Sequence, residues 1–191
     1  YMRSLGLPVP PGFTITAEVC AEYYDRGQKL PPGLMEQIRE NLSKLEEEMG
    51  KRFGSTEDPL LVSVRSGAAA SMPGMMDTVL NLGLNDDTVK AMARNMGSER
   101  AAFDAYRRLI NMFGDVVMGV GHEYFEDAFE EIKDHYGARE DVEVPLEGLK
   151  ALVKRYKAIY KKEAKQTFPQ DPLKQLEMAV DAVFRSWNTP R

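Results

Sequence analysis

Leu60-Leu61-Val62-Ser63-Val64-Arg65-Ser66-Gly67-Ala68-Ala69-Ala70-Ser71-Met72-Pro73-Gly74-Met75-Met76-Asp77-Thr78 is the stretch around which the rest of the chain takes shape. Its apolar half, Leu60 to Val64, reads as a strand covered on both faces. The run ends on Arg65 and gives way to Gly, Ala and Ser, residues too small to fill a core, whose backbone N–H groups can approach a ligand closely. A strand followed by Arg65, Ser66, Gly67 and later Gly74 has the parts of a phosphate cradle: backbone donors and one guanidinium. The pattern alone allows a second arrangement equally, in which Arg65 pairs with a carboxylate and the loop is a tight crossover. Asp77 and Thr78 have the same double character, as holders of a magnesium ion carried by a nucleotide or as hydrogen-bonding partners inside the loop. No Lys-Ser or Lys-Thr pair follows a glycine, so this is not the P-loop signature, and it is not the G-x-G-x-x-G dinucleotide turn. Met72, Met75 and Met76 are read as gap fillers.

Upstream of this stretch, Leu7-Pro8-Val9-Pro10-Pro11-Gly12 excludes helix, because proline fixes φ and lacks a donor. Phe13-Thr14-Ile15-Thr16 alternates like a short strand, and Thr16 is placed to cap a helix from Ala17 to about Arg26. After Pro31-Pro32-Gly33 the spacing predicts a helix from Leu34 to Phe53, with Leu34, Ile38, Leu42, Leu45, Met49 and Phe53 on one stripe. The acidic run Glu46-Glu47-Glu48 is its solvated face.

Downstream the pattern turns helical. Val79 to Leu84 is apolar but too interrupted to assign, and Asn85-Asp86-Asp87 looks like the cap of a helix ending at Met96. From Ser98 onward Phe103, Tyr106, Ile110, Phe113 and Val117 recur at heptad-like steps. On a wheel of about 100° per residue Arg108 falls opposite that stripe and points away from the local core. Further helices are expected from Tyr124 to Tyr136, from Pro145 through Tyr160, and from Asp171-Pro172 to Trp187. Lys154, Arg155, Lys157, Lys161 and Lys162 edge the second of these. They read as a solvated flank, with attraction of a nucleotide as the other reading.

These patterns predict an α+β fold of two lobes: a small α/β lobe over 1–85 that carries the loop, and a helical lobe over 86–177. Residues 178–191 are expected to return as the end of the last helix to the first lobe. The chain has 191 residues, 43% of them hydrophobic and 29% charged, which is the balance of a globular protein and not of a disordered one. A net charge of -5 without a basic block argues against a nucleic-acid or anionic-membrane surface, while leaving small anions as ligands. The lone Cys20 excludes an internal disulfide framework and fits a reducing compartment; the expected location is the cytoplasm, or an organelle. His122 and His135 lack a neighbouring Ser or Cys nucleophile, so neither is assigned catalysis. No stretch approaches the roughly 20 apolar residues of a membrane span. Because Tyr1 begins within what reads as a helix, the sequence is expected to be a piece of a longer chain.

Val62-Ser63-Val64-Arg65-Ser66-Gly67, then Ser71-Met72-Pro73-Gly74-Met75-Met76-Asp77-Thr78 and Asn81-Leu82-Gly83-Leu84-Asn85, closely resemble the nucleotide-binding domain of the pyruvate, phosphate dikinases. The resemblance continues through Gly6-Leu7-Pro8-Val9-Pro10-Pro11-Gly12-Phe13, Tyr106-Arg107-Arg108, Gly114-Asp115-Val116-Val117-Met118 and Ser186-Trp187-Asn188. It implies a partial ATP-grasp-type domain of an enzyme that converts ATP, phosphate and pyruvate to AMP, diphosphate and phosphoenolpyruvate through a phosphohistidine on another domain. By position, Arg65 resembles the family's arginine on the ATP phosphates and Arg108 a second arginine near the transferring phosphate. The loop from Gly67 to Thr78 would lie over the phosphates.

The family's Gly-Gly-Lys-Gly motif would precede Tyr1. The second ATP-grasp lobe with its magnesium and adenine ligands, the phosphohistidine domain and the pyruvate-binding barrel would also lie outside these residues. The resemblance therefore implies that the piece alone does not complete the reaction, that ATP and magnesium are the cofactors with the metal held elsewhere, and that the full-length enzyme is a homodimer while the piece is a monomer. Two alternatives stay open: a phosphoenolpyruvate synthase-like dikinase, disfavoured by the Met-Pro-Gly-Met-Met-Asp-Thr run, and a non-catalytic helical interaction module.

Overall fold

Prolines and glycines set the first elements in the computed structural model, which describes residues 9–67 and 78–187. The chain divides into two compact units, Tyr1–Arg52 and Phe53–Arg191. In the first, α1 (Ala17–Asp25) buries Cys20 and Tyr23, and α2 (Leu34–Met49) buries Leu34, Ile38 and Leu42. Phe13 to Thr16, expected as a strand, has no regular structure. Its alternation has no ladder to join, and Thr16 instead takes the extended conformation of a helix N-cap. The second helix stops a turn short of the expected Phe53, because Gly50 turns left-handed and the Lys51 N–H donates back to the Glu46 carbonyl at 3.2 Å.

The second unit holds the candidate residues Arg65 and Arg108. β1 (Arg52–Phe53) and β2 (Pro59–Leu60) are two-residue strands of one small sheet. β3 (Val62–Arg65) and β4 (Thr78–Leu82) form an antiparallel pair in which Val62 faces Leu82, Val64 faces Val79 and Arg65 faces Thr78. The run expected as one strand from Leu60 is thus broken at Leu61. It is also covered on one face only: Val62 and Val64 are half-buried, whereas Ser63 and Arg65 are exposed. A two-stranded ribbon lying on a helix buries alternate residues, and an apolar sequence does not reveal how many faces are covered.

Helices α3 (Thr88–Met96), α4 (Glu99–Met112), α5 (His122–Tyr136), α6 (Leu146–Ala164) and α7 (Pro172–Ser186) complete the unit. α4 packs on α3, α6 and β4, and α5 packs on α6; α7 covers β3 and β4. Tyr106, Ile110 and Phe113 of the expected stripe are fully buried, and Val117 nearly so. The helix does not run straight to Val117, however, since Phe113–Val117 forms a π-helical turn. Gly114 sits there against the Phe125 ring, where an added Cβ would lie 2.6 Å from Cζ. Edge-on aromatic pairs knit the interior, with Phe113 and Tyr160 each packed on Phe168 and Phe125 on Tyr156.

The turn after β4 is fixed with unusual completeness. Gly83, at φ +108°, lets the chain pass where a Cβ would come within 2.9 Å of the Phe53 ring, and its N–H donates to Gln175 Oε1 at 2.8 Å. Asn85 Oδ1 then accepts from the Asp87 and Thr88 N–H groups, so the cap expected from Asn85-Asp86-Asp87 is supplied by Asn85. The architecture is α+β, helices with small sheets. No helix among the described residues is long and apolar enough to cross a membrane.

Candidate nucleotide-phosphate site

At the open end of the β3–β4 pair the ladder brings Arg65 and Thr78 directly opposite each other. Twelve residues, 66–77, join these two strands. A two-stranded antiparallel turn needs only two to five residues or so, so most of this connection is not required to reverse the chain. The antiparallel pairing also removes the crossover reading of the loop, since a crossover links parallel strands. Arg65 extends from the exposed face of β3, and no hydrogen bond or ion pair with a described side chain holds its guanidinium. Ser66 is tucked in at 8% exposure beside it, and Gly67 is exposed. Gly74 and Asp77 lie outside the described residues. The described part of the candidate site is therefore a paired strand end that carries the exposed Arg65 beside the buried Ser66.

Arg108 stands on α4, a different element, with its side chain 60% exposed as the wheel predicts. Its described ion-pair partner is Asp104, one turn earlier, at 3.0 Å. Asp104 also accepts from Arg107 Nε at 2.8 Å, and Arg107 is buried. The Arg107 guanidinium lies 4.1 Å above the centre of the Phe129 ring and donates to Asp141 at 3.2 Å. Arg65 and Thr78 are thus brought together by the ladder, while Arg108 reaches the same unit through α4, which packs on β4.

Two comparisons bear on these residues. The family model described as "Pyruvate phosphate dikinase, AMP/ATP-binding domain" matches residues 26–191. This chain belongs to that family. Among its relatives are pyruvate, phosphate dikinase 1, chloroplastic, of Arabidopsis thaliana, 53% identical over 190 residues, and the pyruvate, phosphate dikinases of Giardia intestinalis and Clostridium symbiosum, 52% and 51% identical. Each match covers all of this chain but only 20 to 22% of the relative, so the chain spans about a fifth of the length of these proteins. The plant relative is named as chloroplastic and the other two are not. Arg65, Ser66, Gly67, Gly74, Asp77, Thr78 and Arg108 all fall inside the matched AMP/ATP-binding domain.

Within that dikinase domain some functional-looking groups prove structural. Two members of the lysine-rich flank of α6 are engaged: Lys157 donates to Asp86 at 2.7 Å and Arg155 pairs with Glu131. The solvated-flank reading fits these pairs. Sequence reasoning did not find the Asp86 cluster, in which one carboxylate oxygen accepts from both Lys157 and the Tyr106 hydroxyl at 2.8 Å. Burial pushes the Asp86 carboxyl up, but the hydrogen bonds from Lys157 and Tyr106 outweigh it and hold the group below the ordinary carboxylate range. Burial pushes the Tyr106 hydroxyl well above its usual range, and that of Tyr156 up to about 12. Neutral tyrosine hydroxyls suit structural hydrogen bonding, not proton transfer near neutral pH. Sequence reasoning named Arg107 only within the Tyr106-Arg107-Arg108 resemblance and passed over Asp104, whose one signal was its spacing of three and four residues from Arg107 and Arg108. Among the described residues no three His, Cys, Asp or Glu side chains converge to hold a metal ion.

Proposed function

We propose that the chain forms one wall of the ATP cleft of an enzyme that converts ATP, phosphate and pyruvate to AMP, diphosphate and phosphoenolpyruvate. The reading rests on family membership and on one geometric observation: the Arg65–Thr78 ladder pair closes a connection far longer than its turn requires, with the Arg65 guanidinium unengaged by described side chains. Phosphoryl transfer needs positioning and charge neutralisation more than covalent chemistry from the protein, and a planar guanidinium grips phosphate oxygens at two points. In this reading Arg65 binds the ATP phosphates, aided by Ser66, Gly67, Gly74, Asp77 and Thr78, and Arg108 neutralises charge on the phosphoryl group in transit. Residues 1–85 carry the phosphate loop, 86–177 the helical lobe with Arg108, and 178–191 lead back to the first. Magnesium would arrive with the nucleotide. The described residues form no metal cluster, so no step is assigned to the ion here.

The remaining parts would come from the rest of a longer dikinase chain: a second ATP-grasp lobe, the phosphohistidine domain and the pyruvate-binding barrel. That enzyme would work as a homodimer in the cytoplasm or in a plastid, as the chloroplastic names of plant relatives suggest. The experiment is single-turnover phosphoryl transfer to the carrier histidine in the full-length protein. Arg65→Ala and Arg108→Ala should each slow it by about 100-fold or more, the loss found when a transition-state charge clamp is removed. Transfer at the parent rate in both variants would overturn the assignment.

A further inference from the structure

An exposed arginine on a helix is a poor clamp unless something fixes it, because ordering a long side chain costs roughly 1.5–2 kcal/mol of rotamer freedom. Arg108 is 60% exposed, yet it is tied at 3.0 Å to one oxygen of Asp104. The other oxygen of Asp104 accepts from Arg107 Nε at 2.8 Å. Arg107 is itself immobilised: its side chain is only 7% exposed, it lies on the Phe129 ring at 4.1 Å, and it donates to Asp141 at 3.2 Å. The Asp104 side chain is 19% exposed, between the two arginines. Order therefore passes outward in sequence, from a buried ring to a buried guanidinium, then to a carboxylate, and finally to the solvent-side guanidinium.

We propose that Asp104 is a positioning residue for Arg108, holding one edge of its guanidinium so that the other edge is presented, preoriented, to a phosphoryl oxygen. The proposal rests on Arg108 acting in phosphoryl transfer. A surface pair of this spacing contributes little to stability, about 0.3–0.5 kcal/mol. Its value lies in geometry: Asp104 uses both oxygens, one on a fixed anchor and one on the mobile group. No atom of Asp104 needs to touch the nucleotide. Losing it should lower the rate of transfer while leaving ATP affinity near the parent value, since the ground-state phosphates are held at Arg65.

The test is a double-mutant cycle in the full-length protein, read as the single-turnover rate and, separately, as the ATP concentration at half-saturation. Asp104→Asn keeps the shape and removes the charge. It should slow transfer about 10-fold, the order of loss for a catalytic group displaced by a fraction of an ångström. Asp104→Glu, which keeps the charge, should recover part of that loss. In an Arg108→Ala background, Asp104→Asn should have no further effect. Three results would overturn the proposal. One is parent-like transfer in Asp104→Asn while Arg108→Ala is slow. Another is an equal slowing by Asp104→Asn in both backgrounds, which would place its effect in Arg107 and the fold. A third is loss of ATP affinity with an unchanged maximal rate. Should Asp104→Asn fail to fold, Asp104→Ser runs the same cycle with the same expectations. Parent-like transfer in Arg108→Ala would instead remove the functional reading on which the proposal stands.

Discussion

Gln175 shows how much one side chain can hold. It is wholly buried, and its amide accepts from the Gly83 N–H at 2.8 Å while donating to the Leu84 carbonyl at 2.9 Å and to the Pro169 carbonyl at 2.8 Å. A buried backbone group left without a partner costs about 1–3 kcal/mol, so Gln175→Leu, similar in size but unable to hydrogen-bond, should destabilise the chain by about 3 kcal/mol. Chemical denaturation of the 191-residue chain measures it, and a loss below about 1 kcal/mol would show that water replaces the amide. In the sequence Gln175 is an ordinary polar residue of an amphipathic helix; two of its three partners, Gly83 and Leu84, lie some ninety residues away, where periodicity has no reach. Arg107 was hidden for the same reason, because the ring beneath it comes from another helix. Arg108 was legible as an outward residue, since a wheel reports direction, but its ion pair with Asp104, which also holds Arg107, was not.

At the level of elements, the helices were legible and the hairpin was not. Stripes at three- and four-residue steps hold wherever a helix buries one face, and α4 to α7 follow them. β4 escaped because its alternation is broken. Pairing of Val62 with Leu82 but Val64 with Val79 places one extra residue in β4, and Asn81 takes φ +60° in that bulge. At the same irregularity the Leu80 N–H donates to Met112 Sδ of α4 at 3.2 Å, fastening the strand to the helix that carries Arg108. Asparagine tolerates the left-handed region and β-branched residues do not. Asn81→Val should therefore cost about 1–2 kcal/mol, and Asn81→Gly little or nothing. Equal melting temperatures for the two variants would contradict this role for the bulge.

For the whole molecule, the family was written in the letters of the loop after Leu60 and of further stretches along the chain, while the physics of that loop left two arrangements open. The antiparallel ladder bears on the crossover part of one of them, and the loop residues fall inside the matched AMP/ATP-binding domain. Arg65 is proposed to bind the phosphates of a nucleotide and not its base or sugar. Titration calorimetry of the full-length protein with Mg-ATP and with adenosine tests it most directly. Loss of one charge-assisted contact of about 1.5–3 kcal/mol should weaken ATP binding roughly 10- to 100-fold in Arg65→Ala and leave adenosine binding at the parent value. ATP bound as tightly by Arg65→Ala as by the parent protein would remove Arg65 from the phosphate contacts.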